Sequence, residues 1–120
     1  MRKIIVEFGN EKNIRKDFLA LPKTLYDKGK CPQDSKTERQ ILEETHVLST
    51  TFKVTPFVAY IGVDHSRKVV ARALVTYYSD DATAYVGFFE SVDDVEICQK
   101  LFDTIFEFVK KDGKKTVVGP

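Results

Sequence analysis

The stretch from Ala84 to Pro120 constrains this chain more than any other, because it reads as a strand, a long helix and a returning strand in immediate succession. Ala84 to Phe89 is apolar at positions of both parities, as a strand covered on both faces requires. Ser91, with Asp94 three residues on, has the spacing of a capping box, in which the serine oxygen accepts a helix-start amide proton and the carboxylate reaches back. Beyond it Val95, Cys98, Leu101, Phe102, Ile105, Phe108 and Val109 recur at steps of three and four, which predicts a helix with one face turned to a sheet. Lys110 and Lys111 suit the negative end of its dipole, and Gly113 is placed for the left-handed conformation that ends helices. Lys115 to Val118 then returns as a strand parallel to the first, since a helical crossover joins parallel neighbours.

That returning strand leaves an outer row of backbone groups beside the apolar Val117 and Val118, an edge of the kind that proteins cover, charge or pair. Two occupants are expected: a further segment beyond Pro120, which makes residues 1–120 one domain incomplete at its carboxyl end, or a second copy of the chain. In the second case the Lys115 to Val118 patch meets itself in a two-fold homodimer.

The rest of the chain supports one globular domain with a core of its own. A net charge of +1, with acids and bases interspersed, offers no basic stripe and excludes nucleic acid as a partner. No apolar run approaches the ~20 residues that span a bilayer, and Met-Arg-Lys-Ile-Ile-Val-Glu lacks the apolar core of a signal peptide, so no membrane is expected and the cytoplasm is the default. Cys31 and Cys98 lie in unlike contexts and read as free thiols. Ile4 to Phe8 alternates as a short strand, and a helix from Glu11 carries Ile14, Phe18, Leu19 and Leu21 before Pro22 bends or ends it. Asp27 to Pro32 is a loop. A second helix from Asp34 or Ser35 runs through Ile41 and Leu42, as far as Val47, lying on the surface with Glu38, Arg39, Glu43 and Glu44 on its wet side.

From Pro56 the apolar period changes to two. Phe57 to Val63, Lys68 to Tyr78 and Ala82 to Phe89 read as three strands joined by hairpins, an antiparallel meander. In the middle strand Val69, Ala71, Ala73, Val75 and Tyr77 fall on one face, and Val70, Arg72, Leu74, Thr76 and Tyr78 on the other.

Strand, two helices, three antiparallel strands, long helix, strand: this order resembles the front two-thirds of the GNAT N-acetyltransferase fold, an α+β fold with a mixed sheet. The segments Gly87-Phe88-Phe89-Glu90, Asp93-Asp94 and Gly119-Pro120 are similar to those of one branch of that superfamily, as is Phe18-Leu19-Ala20-Leu21-Pro22-Lys23-Thr24-Leu25-Tyr26 near the start. The resemblance implies acetyl-coenzyme A as cofactor, lying where the fourth and fifth strands splay apart, and an amine acceptor that it does not identify. It also implies a glycine-spaced pyrophosphate loop after the fourth strand, with an Arg or Gln, so that backbone amides approach the phosphates. This chain instead has Glu90-Ser91-Val92-Asp93-Asp94-Val95-Glu96, whose carboxylates oppose a pyrophosphate at a helix start, and the expected cofactor binding is weak or absent.

Each candidate for chemistry has a plainer reading. Glu90, at the end of the fourth strand, is placed as a general base for an amine, or is an ordinary helix-start acid. Gly87, Phe88, Phe89 and Ser91 are the candidate cofactor contacts, Gly87 because a glycine within a strand marks a bulge or a close backbone approach. Tyr77-Tyr78 and Phe88-Phe89 line an acyl pocket or belong to the core. His46 and His65 are isolated surface groups with no third ligand at metal spacing, and Cys98, without a neighbouring base in sequence, is a buried structural thiol. Two functions stand: an acetyl-coenzyme A dependent N-acetyltransferase, and a non-catalytic GNAT-like module whose sheet is completed by a partner or a second copy.

Overall fold

The computed structural model describes residues 3–9, 11–25, 35–44, 52–62, 67–78 and 82–119. The elements are β1 (Ile4–Phe8), α1 (Lys12–Leu25), α2 (Ser35–Glu44), β2 (Phe52–Ile61), β3 (Lys68–Tyr78), β4 (Thr83–Ser91), α3 (Val95–Lys111) and β5 (Thr116–Val118). The five strands lie side by side in chain order. β1 to β4 pair antiparallel and β5 joins β4 in parallel, so the sheet is mixed, with a meander and one parallel β-α-β unit, as expected.

Helices cover both faces. On one, Ile97, Leu101, Ile105 and Val109 of α3, each at most 2% exposed, pack on Phe57, Ala59, Ala71, Ala73, Val75, Ala84 and Val86. Their spacing of four keeps them on one line along the helix, and burying each side chain of this size stabilises the fold by about 1.5–3 kcal/mol. On the other, Ile14 and Phe18 of α1 and Leu42 of α2 pack on Val54, Val58, Tyr60 and Leu74. The predicted stripe of α3 is thereby corrected: Val95 is 80% exposed and Ile97 takes the first core position. Gly113 ends α3 as expected, at φ +75, with its N–H donating to Lys110 O and that of Lys114 to Val109 O.

Pro22 and Pro56 each sit inside an element, where Pro22 was expected to bend or end its helix and Pro56 to precede its strand. β2 begins at Phe52, not Phe57, and Pro56 pairs with Leu74 of β3. The Pro56 carbonyl accepts from Gly9 N–H at 3.1 Å, on the β1 side, so its missing N–H points where the β1 pairing has run out and β3 loses nothing. α1 continues through Pro22 to Leu25. Proline leaves the carbonyl four residues back without its helical donor. That carbonyl belongs to Phe18, and the buried Arg72 of β3 supplies a replacement, Nη1 donating to Phe18 O at 2.8 Å.

Arg72 also corrects the placement of α2. Glu38, expected on the wet side, is buried, and its two carboxylate oxygens accept from Arg72 Nη1 and Nη2 at 2.7 and 3.1 Å. The guanidinium lies over the Phe18 ring, 4.3 Å from its centroid. One side chain therefore ties α1 and α2 to β3, and α2 is a packed element rather than a surface one. The expected faces of β3 hold except at its start. The register slips between Ala59 and Tyr60, leaving Val70 as an extra residue, so that Val70 joins Ala71 on the α3 face and Val69 moves to the α1 side. Val63, His65, His46, Val47, Cys31 and the loop from Asp27 to Pro32 lie outside the described residues.

Candidate functional site

β5 pairs with β4 over Thr83 to Tyr85, while β4 itself runs on to Ser91. Val86 and Phe89 of β4, Phe102 and Phe106 of α3, Val117 of β5 and Gly119 line a cleft of ≈ 370 Å³. Just past β5 the chain stays close to β4, a Cβ built on Gly119 standing 3.6 Å from Val86 Cβ. The walls are held by aromatic contacts: Phe89 and Phe102 ring centroids are 5.2 Å apart, and those of Phe102 and Phe106 are 6.3 Å apart.

A bulge in β4 places Phe89 there. The pairing passes from Leu74 with Gly87 to Arg72 with Glu90, so Phe88 and Phe89 together face Ala73 alone. Phe88 absorbs the extra length in a left-handed conformation, φ 52, and is 42% exposed. Strict alternation would have turned Phe89 toward α1. The bulge returns it to the α3 face and sends Glu90 to the other face, across from Arg72. Of the sequence candidates, then, Phe89 lines the cleft, Gly87 and Glu90 stand on the opposite face, and Gly87 keeps regular pairing just before the bulge. Tyr77 is core, stacked 5.8 Å from Phe108.

Ser91 is the last residue of β4, not a helix cap; its Oγ donates to Val92 O at 2.7 Å and accepts from Cys98 Sγ at 3.3 Å. The cap is Asp94, extended at φ −151, whose carboxylate accepts from Ile97 N–H at 3.2 Å. The Asp94 N–H donates to Val92 O at 2.9 Å, a tight turn that sets this carboxylate over the first turn of α3. Asp93 and Glu96 beside it are exposed. A diphosphate at this helix start would need backbone amides aimed at it and a positive dipole end. Here the protein's own carboxylate holds the Ile97 amide and offsets the dipole.

Phe102 and Phe106 were missed as cleft walls. The available signal was a second row of phenylalanines beside the core stripe of α3, with Phe106 49% exposed. Among the described residues there is no group of three metal-ligand side chains, and no helix is long and apolar enough to cross a membrane.

No protein-family model matches the chain, and no curated protein matches it by sequence. Solved structures do match. A Lactobacillus plantarum protein with a provisional N-acetyltransferase assignment aligns at TM-score 0.67 and 12% identity, over 95% of this chain and 73% of its own. A tandem GNAT protein of clavulanic acid biosynthesis aligns at TM-score 0.64 and 13% identity, over 99% of this chain but 36% of its own length. Glucosamine-6-phosphate N-acetyltransferase from Arabidopsis thaliana aligns at TM-score 0.58 and 14% identity, over 100% and 82%. With the strand order, these likenesses establish that the chain has the fold of the GNAT acetyltransferases.

Proposed function

We propose that this chain is a GNAT-like binding module that keeps the acyl-receiving cleft of the fold and does not use acetyl-coenzyme A as a cofactor. One observation carries the reading: the Asp94 carboxylate occupies the amide of Ile97 at the helix start where a diphosphate would bind. Two further acids of the same turn, Asp93 and Glu96, add to the opposing charge. Calorimetric titration with acetyl-coenzyme A tests it. No saturable heat is expected up to several hundred micromolar ligand, and micromolar binding sinks the reading.

A second reading, an N-acetyltransferase of unknown acceptor, is favoured by the cleft beside β4 and by the names of the structural neighbours. Glu90 is its candidate base, Gly87, Phe88, Phe89 and Ser91 its candidate cofactor contacts. The same titration separates the two readings.

A further inference from the structure

β1 is an outer strand of the sheet, and among the described residues no strand pairs with its far side. Hydrogen bonding alternates along an antiparallel pair, and the bond from Gly9 N–H to Pro56 O fixes its phase. Glu7 and Ile5 therefore turn their backbone groups to β2, while Ile4, Val6 and Phe8 turn three N–H and three C=O groups to the open edge. The strand lacks the usual guards: it has no proline and no register slip, and its one charged residue, Glu7, is held by Arg67 at 3.0 Å. The side chains of Ile4, Val6 and Phe8 lie on the α3 side, Phe8 in edge contact with Phe108 at 5.0 Å. Beside this edge Ile4 and one flank of α3, through Val95, Glu96, Gln99, Lys100 and Asp103, line a groove of ≈ 640 Å³. Val95, 80% exposed, gives that groove an apolar wall.

We infer that β1 receives an extended, basic segment of a partner protein as a sixth strand, antiparallel to it, with alternate side chains of that segment in the groove beside α3. A peptide backbone repeats its donor and acceptor at the two-residue step of about 6.8 Å that this edge offers. Residues of the segment that bond to Ile4, Val6 and Phe8 carry their side chains on the same face as those three, so the residues that make the backbone bonds also fill the groove. Two carboxylates, Glu96 and Asp103, against one ammonium, Lys100, leave the groove wall with a net charge of −1, which favours Lys or Arg in the segment, while Ile4 and Val95 take an apolar side chain. A second copy docked edge to edge about a two-fold axis would bring the same excess of negative charge to both sides of the seam. The charge of the groove therefore selects a different, basic occupant. This edge lies away from the cleft beside β4 and its role does not depend on what that cleft holds.

Fluorescence anisotropy of a labelled, end-capped peptide, Thr-Lys-Thr-Val-Thr-Lys-Thr, titrated with the full 120-residue chain tests it. Saturable binding with a Kd below about 1 mM is expected, and the peptide with Glu in place of both Lys should bind about tenfold more weakly. N-methylation of the peptide Val, whose N–H faces β1 when its side chain faces the groove, should abolish binding, whereas N-methylation of a central Thr should leave it within about twofold. Val6→Pro removes a donor that β2 does not use, and should abolish binding while the far-ultraviolet dichroism stays unchanged. Asp103→Lys, at an exposed site on α3, should narrow the gap between the Lys and Glu peptides by about threefold. No saturable binding overturns the inference, as do equal affinities of the Lys and Glu peptides, binding that survives N-methylation of the peptide Val or Val6→Pro, and a gap that Asp103→Lys leaves unmoved. A chain that sediments as a dimer and becomes monomeric on Val6→Pro puts a second copy on this edge and overturns it too.

Discussion

Replacing Arg72 with methionine strips three bonds at once from the junction of α1, α2 and β3. Glu38 is left as a buried carboxylate, and breaking a buried pair on one side costs about 3–5 kcal/mol. Phe18 O loses its donor as well, since Pro22 cannot supply one, which adds about 1–3 kcal/mol for an unsatisfied buried acceptor. The sum, ~4–8 kcal/mol, is most of the ~5–15 kcal/mol that a domain of this kind has. Arg72→Met should therefore unfold at very low urea, or without any. Two further variants separate the contributions. Removing both charges, with Arg72→Met and Glu38→Leu together, should recover about 3 kcal/mol, because an uncharged pair carries no desolvation debt; at ~1–3 kcal/mol per molar urea, the midpoint rises by about 1–3 M. Introducing Pro22→Ala restores an N–H four residues after Phe18, and in that background Arg72→Met should cost about 1 kcal/mol less. Urea unfolding followed by far-ultraviolet dichroism measures all of these. Equal midpoints for the single and the charge-free double variant, or a cost of Arg72→Met unchanged by Pro22→Ala, would refute the reasoning.

Asp94→Ala removes the α3 cap and should destabilise the chain by about 1 kcal/mol, read as a few degrees in Tm, with Asp94→Asn close to the unaltered chain. Burial raises the Tyr60 phenol pKa, helped by its 2.6 Å hydrogen bond to Asp17, and burial followed by the charge of Asp112 raises that of Tyr77. Both pKa values are raised on folding, so the stability they contribute is present below the unfolded value of ~10 and is lost as pH climbs above it; urea midpoints should fall above pH ~10, and less steeply in Tyr60→Phe and Tyr77→Phe. Pairing of two copies through β5, with Val117 facing itself, sets Lys115 across from Gly119 and brings no like charges opposite one another. Sedimentation should then report a dimer that Val118→Lys dissociates, and a monomer at high micromolar concentration rules the pairing out.

What the sequence made legible is what local rules govern. The β4-α3-β5 unit, the left-handed Gly113 and the bounds of β3 follow from period, cap and turn chemistry that neighbouring residues supply. Apart from the start of α3, where Asp94 and not Ser91 is the cap and Ile97 and not Val95 opens the core stripe, the misreadings involve a partner far along the chain. Pro22 and Pro56 look like breakers until one knows where their absent N–H groups would have pointed, which Arg72 and β1 decide. Glu38 looks solvated because its neighbours are polar, and nothing within α2 announces a guanidinium 34 residues away. Of the cleft walls Phe89 was among the candidates, but the face that it takes depends on one inserted residue after Gly87 that alternation cannot foresee.

That inserted residue gives β4 two phases. Before Phe88 the even-numbered side chains, Ala84 and Val86, look toward α3; after it the odd-numbered ones do, Phe89 and then Ser91. Straightening the strand without shortening it would trade the two sides of its far end, bringing a carboxylate into the greasy slot and turning Phe89 away, whereas deleting Phe88 would leave Phe89 across from Ala73 and Glu90 across from Arg72. The segment therefore behaves as a reading frame, in which one residue held out of the pairing, and not only the composition of the strand, sets which chemistry each side of the sheet presents.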